Sequence, residues 1–372
     1  MTHIPSPPAM RLHGPTGLVA AVPSLLGFHP TESLVLLCLA GPRGRVGPIA
    51  RVDLEGPFDV VGLARQLLGY AVRYAESAAV VCYTDSVGRP KLLDAVVSAL
   101  DGAGVPLLDV LTVRDGVIRH AATQDEESTD RGLPVPGPDD SQVMAMRAVR
   151  VCEGRSVLPD RKALARSISA PEGDALEDAR LAVLGWGEEL ARVAAGLAVE
   201  QIDDELTHRA LRALTRARRE LRQCGRVAGG TATELSVLLT SVPVRDAVIA
   251  RVVSRYDDGW VPTLISVATH CPPEEAAPTC AVLAAAAYRY GDGALAQVAL
   301  DRCLAAEPEH RLAHLLLSIM AAGIPPDELA GLAQAGLPPR SGPTPERGNG
   351  RGREVGAERT VSPGTARRRR PR

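Results

Sequence analysis

The feature that most constrains this chain is a change of hydrophobic period near residue 122. Before it, short apolar runs alternate with helix-like segments; beyond it the spacing is helical almost throughout, and strands and helices cannot share one pattern. Ser33 to Leu39 is a continuous apolar run, Pro48 to Leu54 alternates, and Ala78 to Thr84 and Leu107 to Val113 are again apolar. These read as strands, the first two forming an antiparallel hairpin across the Gly41 to Gly47 turn. A helix with Leu18, Val22, Leu25 and Leu26 on one face precedes them, with Pro23 expected to bend or restart it. Two more helices, capped by Asp59 and started by Pro90, separate the later strands, and Asp115-Gly116 turns into a short strand near Val117 to Ala121. The strand–helix–strand–helix–strand succession predicts three parallel strands with a hairpin strand added at each end.

The expected organisation is therefore an α/β N-terminal domain with a mixed, partly parallel sheet (11–122), a Pro- and Gly-rich linker (123–140), and an all-α C-terminal domain (141–337). A disordered head (1–10) and a disordered Arg-rich tail (338–372) complete it. Helices are expected over Ser141 to Glu153, Asp160 to Ile168, Asp174 to Ala198, Ile202 to Gln223, Thr233 to Leu239, Val244 to Val253, Trp260 to Thr269 and Glu274 to Tyr290. With aromatics at 3%, the core must be built from Leu, Val and Ala. Lys91 and Lys162 are the only lysines and Asn349 the only asparagine, a bias that fits a GC-rich genome and weakens abundant Arg as a sign of nucleic-acid binding.

Seven cysteines without a C-x-x-C pair, most of them inside apolar runs, read as small core residues in a reducing cytoplasm. Met1 to Arg11 lacks the marks of a signal peptide, and no stretch approaches the length of a membrane span, so no membrane partner is expected.

Gly291 to Ala296 followed by Ala299 to Pro308, with His310 to Met320 as partner helix, resembles a tetratricopeptide-type helical hairpin, placed at 279–321. A true array needs about three or more stacked units, so the resemblance implies one hairpin in an irregular helical domain. The chain as a whole, from about Leu12 to Pro338, resembles an actinobacterial family known as domain of unknown function 4192, through Val19 to Ser33, Arg51-Val52-Asp53-Leu54 and Gly291 to Pro308. That resemblance implies an α/β-plus-helical organisation and transfers no activity and no functional residues.

No segment carries a motif that names a reaction or a cofactor: G-x-S-x-G, H-E-x-x-H and a Walker-type G-K-[ST] are all absent. His270, Cys271, Cys280, Cys303, His310 and His314 share a region without zinc-site spacing, and no metal is expected. The best candidate site comes from topology. With Ser33 opposite Leu54, the loop before the first strand lies beside the ends of the second and third. His29, Thr31, Glu32, Ser33, Arg51, Asp53, Thr84 and Asp85 would then converge in a crevice suited to a small anionic ligand. The bland alternative is that Thr31 and Ser33 bond nearby backbone and Asp53 pairs with Arg51.

Two basic features remain. Arg209, Arg212, Arg216 and Arg219 line one face of the Ile202 to Gln223 helix, a solvated face or a partner surface. The segment 340–372 carries ten Arg and three Glu and includes Arg367, Arg368, Arg369 and Arg370, while the rest of the chain is net −9. It would bind nucleic acid without sequence specificity, fold onto the acidic body, or aid solubility. The expectation is a non-enzymatic protein-interaction or regulatory module with a protein partner and a small-ligand crevice; the alternative is an enzyme acting on a small anionic or nucleotide-like substrate there.

Overall fold

A computed structural model describes residues 12–41, 44–86, 90–121, 132–152, 156–254, 257 and 259–335. The expected head and the tail from 338 lie outside these residues. The described residues form one compact unit.

Helix α1 (Gly14–Leu26) continues through Pro23, so the expected bend does not interrupt it. It ends at Gly27, whose φ of 84° is the left-handed cap that a side chain would resist. Then come β1 (Ser33–Ala40), β2 (Arg45–Asp53), α2 (Val60–Tyr74), β3 (Ser77–Tyr83), α3 (Lys91–Gly102), β4 (Leu107–Arg114), β5 (Val117–His120) and the two-residue β6 (Leu133–Pro134), which falls inside the segment read as linker. They form one mixed sheet in the order β2-β1-β3-β4-β5-β6.

Only β3 and β4 are parallel neighbours; β1 is antiparallel to both β2 and β3. The expectation of a hairpin strand at each end is thus corrected: β1 is inserted between β2 and β3, and β2 is the edge. The reason lies in burial. β1 is buried along nearly its whole length and needs neighbours on both sides, whereas β2 is half-exposed and has only one.

The hairpin register also shifts by one residue, Ser33 facing Asp53 rather than Leu54. The turn closes at Ala40 and Arg45, and the ladder slips between Leu37 and Leu39, where Gly47 and Pro48 of β2 face Cys38. Pro48 has no N–H to give, and a bulge is where a strand tolerates it.

Successive residues of β1 and β3 divide between two cores. Leu34, Leu36, Val80 and Cys82 pack with α2 and α3. Val35, Leu37, Ala79 and Val81 belong to a second core that includes α1 and the helices that follow. Those helices are α5 (Arg161–Arg166), α6 (Asp174–Ala195), α7 (Val199–Cys224), α8 (Gly229–Leu238), α9 (Val242–Val253), α10 (Trp260–Ala268), α11 (Ala277–Arg289), α12 (Gly293–Ala306), α13 (Arg311–Ala321) and α14 (Pro326–Ala335), while α4 (Ser141–Cys152) packs through Met146 on Ala20 and Ala21 of α1. Among the described residues, no helix is long and apolar enough to cross a membrane.

Alanine explains how so many helices fit around so few aromatics. α11 carries Ala281, Ala284, Ala285, Ala286 and Ala287 at no more than 1% exposure, letting its neighbours approach closely. Arg302 of α12 then ties helix ends together, its guanidinium donating to the carbonyls of Ile168, Ala268 (2.9 Å) and Cys271 (2.8 Å). Ala268 ends α10, and Ile168 and Cys271 lie just past the ends of α5 and α10, where carbonyls lack an intrahelical donor.

Candidate functional site

The loop between α1 and β1 is pinned at both ends. Phe28 is buried and bridges to Leu158, His29 N–H donates to the Leu158 carbonyl (3.1 Å), and Leu158 N–H donates to that of Gly27 (2.8 Å). Glu32 has φ 37°, which turns its carboxylate toward the end of β3. There Oε2 accepts from the Thr84 hydroxyl (3.0 Å) and Oε1 from the Asp85 N–H (2.6 Å). The Thr84 hydroxyl in turn accepts from Ser86 N–H at 3.1 Å. Ser33, fully buried, donates to the Thr31 carbonyl (2.5 Å).

The residues named from the sequence therefore fall into separate groups. Glu32, Thr84 and Asp85 meet; Ser33 turns back to Thr31. Arg51 forms an ion pair with Asp53 and lies over the Phe28 ring, 5.3 Å from its centroid. His29 is exposed overall, and partial burial followed by the Arg147 guanidinium lowers its pKa.

A further opening lies along β2. A cleft of about 960 Å³ is lined by Gly47 to Asp53, by Leu63, Leu67, Tyr70 and Tyr74 of α2, and by Ala294, Leu317 and Met320 of α12 and α13. Of the eight candidate residues, Arg51 and Asp53 line it. Arg161 and Asp301 also line it and pair at 2.6 Å.

Three tyrosines close one end. Tyr70 donates to the Ile49 carbonyl (3.3 Å), Tyr74 to that of Gly323 and Tyr288 to that of Ile324. Burial raises the Tyr70 phenol and pushes that of Tyr288 up to about 12, with the nearby Tyr74 adding to both. These phenols stay protonated donors at neutral pH. Gly323, at φ 61°, leaves room for the Tyr70 ring, since a Cβ there would lie 2.9 Å from Tyr70 Cδ2. Sequence reasoning passed over this end of the cleft. The available signal was Tyr70 and Tyr74, four residues apart on one helix face in a chain with only six tyrosines.

Of the remaining candidates, Arg209, Arg212 and Arg216 have structural partners. Arg209 and Arg216 both bind the buried carboxylate of Glu234, Arg209 Nε at 2.7 Å. Arg209 also lies over the Trp186 ring (5.3 Å), and Arg212 pairs with Glu205 at 3.1 Å. Arg219 is exposed, and Arg367 to Arg370 fall outside the described residues. His310 Nδ1 caps α13 by accepting from Ala313 N–H (3.2 Å), and His314 Nε2 lies 2.7 Å from the Pro308 carbonyl. Burial pushes the thiols of Cys280 and Cys303 up to about 12 and that of Cys38 to about 11, far from the thiolate form that attacks or ligates.

A model of the family described as Domain of unknown function (DUF4192) matches residues 15–327, most of the chain. The chain belongs to this family. The DUF4192 match takes in the whole sheet and every residue lining the cleft, from Leu25 to Pro326. No curated protein and no solved structure matches the chain.

Proposed function

We propose that the protein is a non-enzymatic binding module whose ligand occupies the cleft along β2. The observation that carries this reading is the state of the charged groups. Along the cleft, Arg51 is paired with Asp53 and Arg161 with Asp301, between walls of Leu63, Leu67, Leu317 and Met320. Apolar walls with a few oriented polar groups are what binding pockets use. A general acid or base must instead reach its substrate with a proton position free, and both carboxylate oxygens of Glu32 are engaged by Thr84 and Asp85. In the same reading α12 and α13 form the tetratricopeptide-like hairpin and contribute one wall. The cysteines Cys38, Cys271, Cys280 and Cys303, each buried and outside any disulfide, support a reducing cytoplasm as the setting.

Native mass spectrometry of the full chain, isolated at low salt from its own cells, tests the reading. The expected result is a bound mass that disappears in Leu63→Phe and Ala294→Phe, which fill the cleft from opposite walls, while thermal melting shows both variants folded. A bound mass that survives both substitutions would place the ligand elsewhere, and turnover of a substrate in the cleft would overturn the non-enzymatic assignment.

A further inference from the structure

The floor of the cleft is a strand edge with its hydrogen-bonding groups pointing outward. Leu54 N–H donates to the Glu32 carbonyl at 2.8 Å, which sets the phase of the β1–β2 ladder. In an antiparallel pair hydrogen-bonded residues alternate, so Val52 and Ala50, opposite Leu34 and Leu36, spend their peptide groups on β1. Those of Asp53, Arg51 and Ile49 point away from it. Ile49 agrees with this phase, because its carbonyl is taken from the outer side by the Tyr70 hydroxyl.

Among the described residues, no strand lies beyond β2. The Tyr70 hydroxyl covers this edge at Ile49, as proteins shield exposed edges generally. At Arg51 and Asp53 no strand among the described residues pairs with it, and their peptide units are spaced about 7 Å apart, the repeat a pairing strand requires. Seven consecutive residues of β2, Gly47 to Asp53, line the cleft. It therefore runs about 20 Å, an ordinary strand length. The walls also suit a strand, whose side chains project alternately to opposite faces. Leu63 and Leu67 of α2 form one wall and Leu317 and Met320 of α13 the other.

We propose that the cleft takes up an extended peptide segment of a partner protein, about five residues long, which adds to β2 by hydrogen bonding to Arg51 and Asp53. This rests on the binding reading above and names its ligand. The segment alternates apolar residues and carries a basic one. The lining holds the carboxylates of Asp53, Glu55, Asp292 and Asp301 against the guanidiniums of Arg51 and Arg161 alone, which favours a cation.

The test uses the full chain and a panel of fluorescent, end-capped hexapeptides alternating valine or leucine with threonine and carrying one lysine at each position in turn. At least one member is expected to bind with micromolar affinity and to slow hydrogen exchange at the Arg51 and Asp53 amides more than tenfold. The Ala50 and Val52 amides, already bonded to β1, should stay unchanged. N-methylating the peptide on its pairing edge should weaken binding more than tenfold, and on the opposite edge should not. Binding without protection of Arg51 and Asp53, or no binding across the panel, overturns strand addition. A small molecule bound in the cleft with no peptide binding overturns it too, while leaving the binding reading intact; an empty cleft in both experiments removes both.

Discussion

His310 is buried and uses its ring as a helix cap, Nδ1 accepting from Ala313 N–H. Burial holds its pKa below the ordinary 6.5, and the Arg245 guanidinium adds to this against the opposite pull of Glu307. Above pH 6.5 the imidazole is neutral in both folded and unfolded chains, and the full stability is present. As the pH falls through 6.5 toward the depressed folded value, the unfolded chain binds the proton first, so stability is lost over that window. Urea unfolding of the full chain between pH 8 and pH 5 should show this decline, with His29, also depressed, contributing. His310→Asn keeps a side-chain cap and removes the titration, so its profile should be flatter. An unchanged profile in that variant would assign the acid sensitivity to other groups. At this scale the sequence named the right residue types near the site and, as its alternative reading, the Arg51–Asp53 pair and the turn of Ser33 to local backbone, but not the partners of Glu32. Glu32 was visible as a loop carboxylate; that both its oxygens would serve Thr84 and Asp85 depends on its positive φ, which no local pattern announces.

At the scale of elements, helices and strands were readable because burial imprints a period on the chain. The 26-residue α7 shows its stripe of Ala210, Leu214 and Ala217, all buried. The start of α8 at Gly229 was missed, since Gly229-Gly230 reads as a turn, and so was the position of β1, which depends on contacts distant in sequence. The arginine face of α7 shows why a helix surface is ambiguous from sequence alone. Two of its guanidiniums, from Arg209 and Arg216, are consumed by one carboxylate twenty-five and eighteen residues away on α8, Glu234, which is 4% exposed. Thr231 extends the network, accepting from Arg216 Nε (3.0 Å) and donating to Glu220 (2.8 Å). Removing the central anion leaves Arg209 without its charge partner, and breaking a buried pair from one side is costly. Glu234→Gln should therefore lower stability by about 3 kcal/mol, the low end of the range for such changes because Arg216 keeps access to solvent. Denaturant titration reads this directly. A loss within experimental error would mean that packing alone holds α7 to α8.

For the whole molecule, the sheet and the helices share more than a covalent link. One apolar cluster contains Val35, Leu37, Ala79 and Val81 of the sheet together with Leu214, Leu235, Val252, Leu283 and Leu300 of the helices. At the far end of the cleft, α2 reaches the turn between α13 and α14 through Tyr74 to Gly323 and the first turn of α14 through the Arg73–Glu328 pair at 3.4 Å. A change of hydrophobic period along the chain marks where strands stop, but it does not say whether the strands and helices complete their cores separately. In the cluster around Val35 and Leu283, each side supplies apolar surface that the other would otherwise leave to water, so opening one side exposes the other. The expected outcome is a single cooperative urea transition. Both tryptophans, Trp186 and Trp260, lie in helices, so fluorescence follows that half, and hydrogen exchange at the β1 amides Leu34 to Leu39 follows the sheet. Coincident midpoints and slopes would establish one cooperative core, and thus a β2 cleft whose two walls cannot part without unfolding. If the tryptophan signal instead melts at lower denaturant than the sheet protection, the halves are separable, and the cleft between β2 and α13 opens as the helices leave.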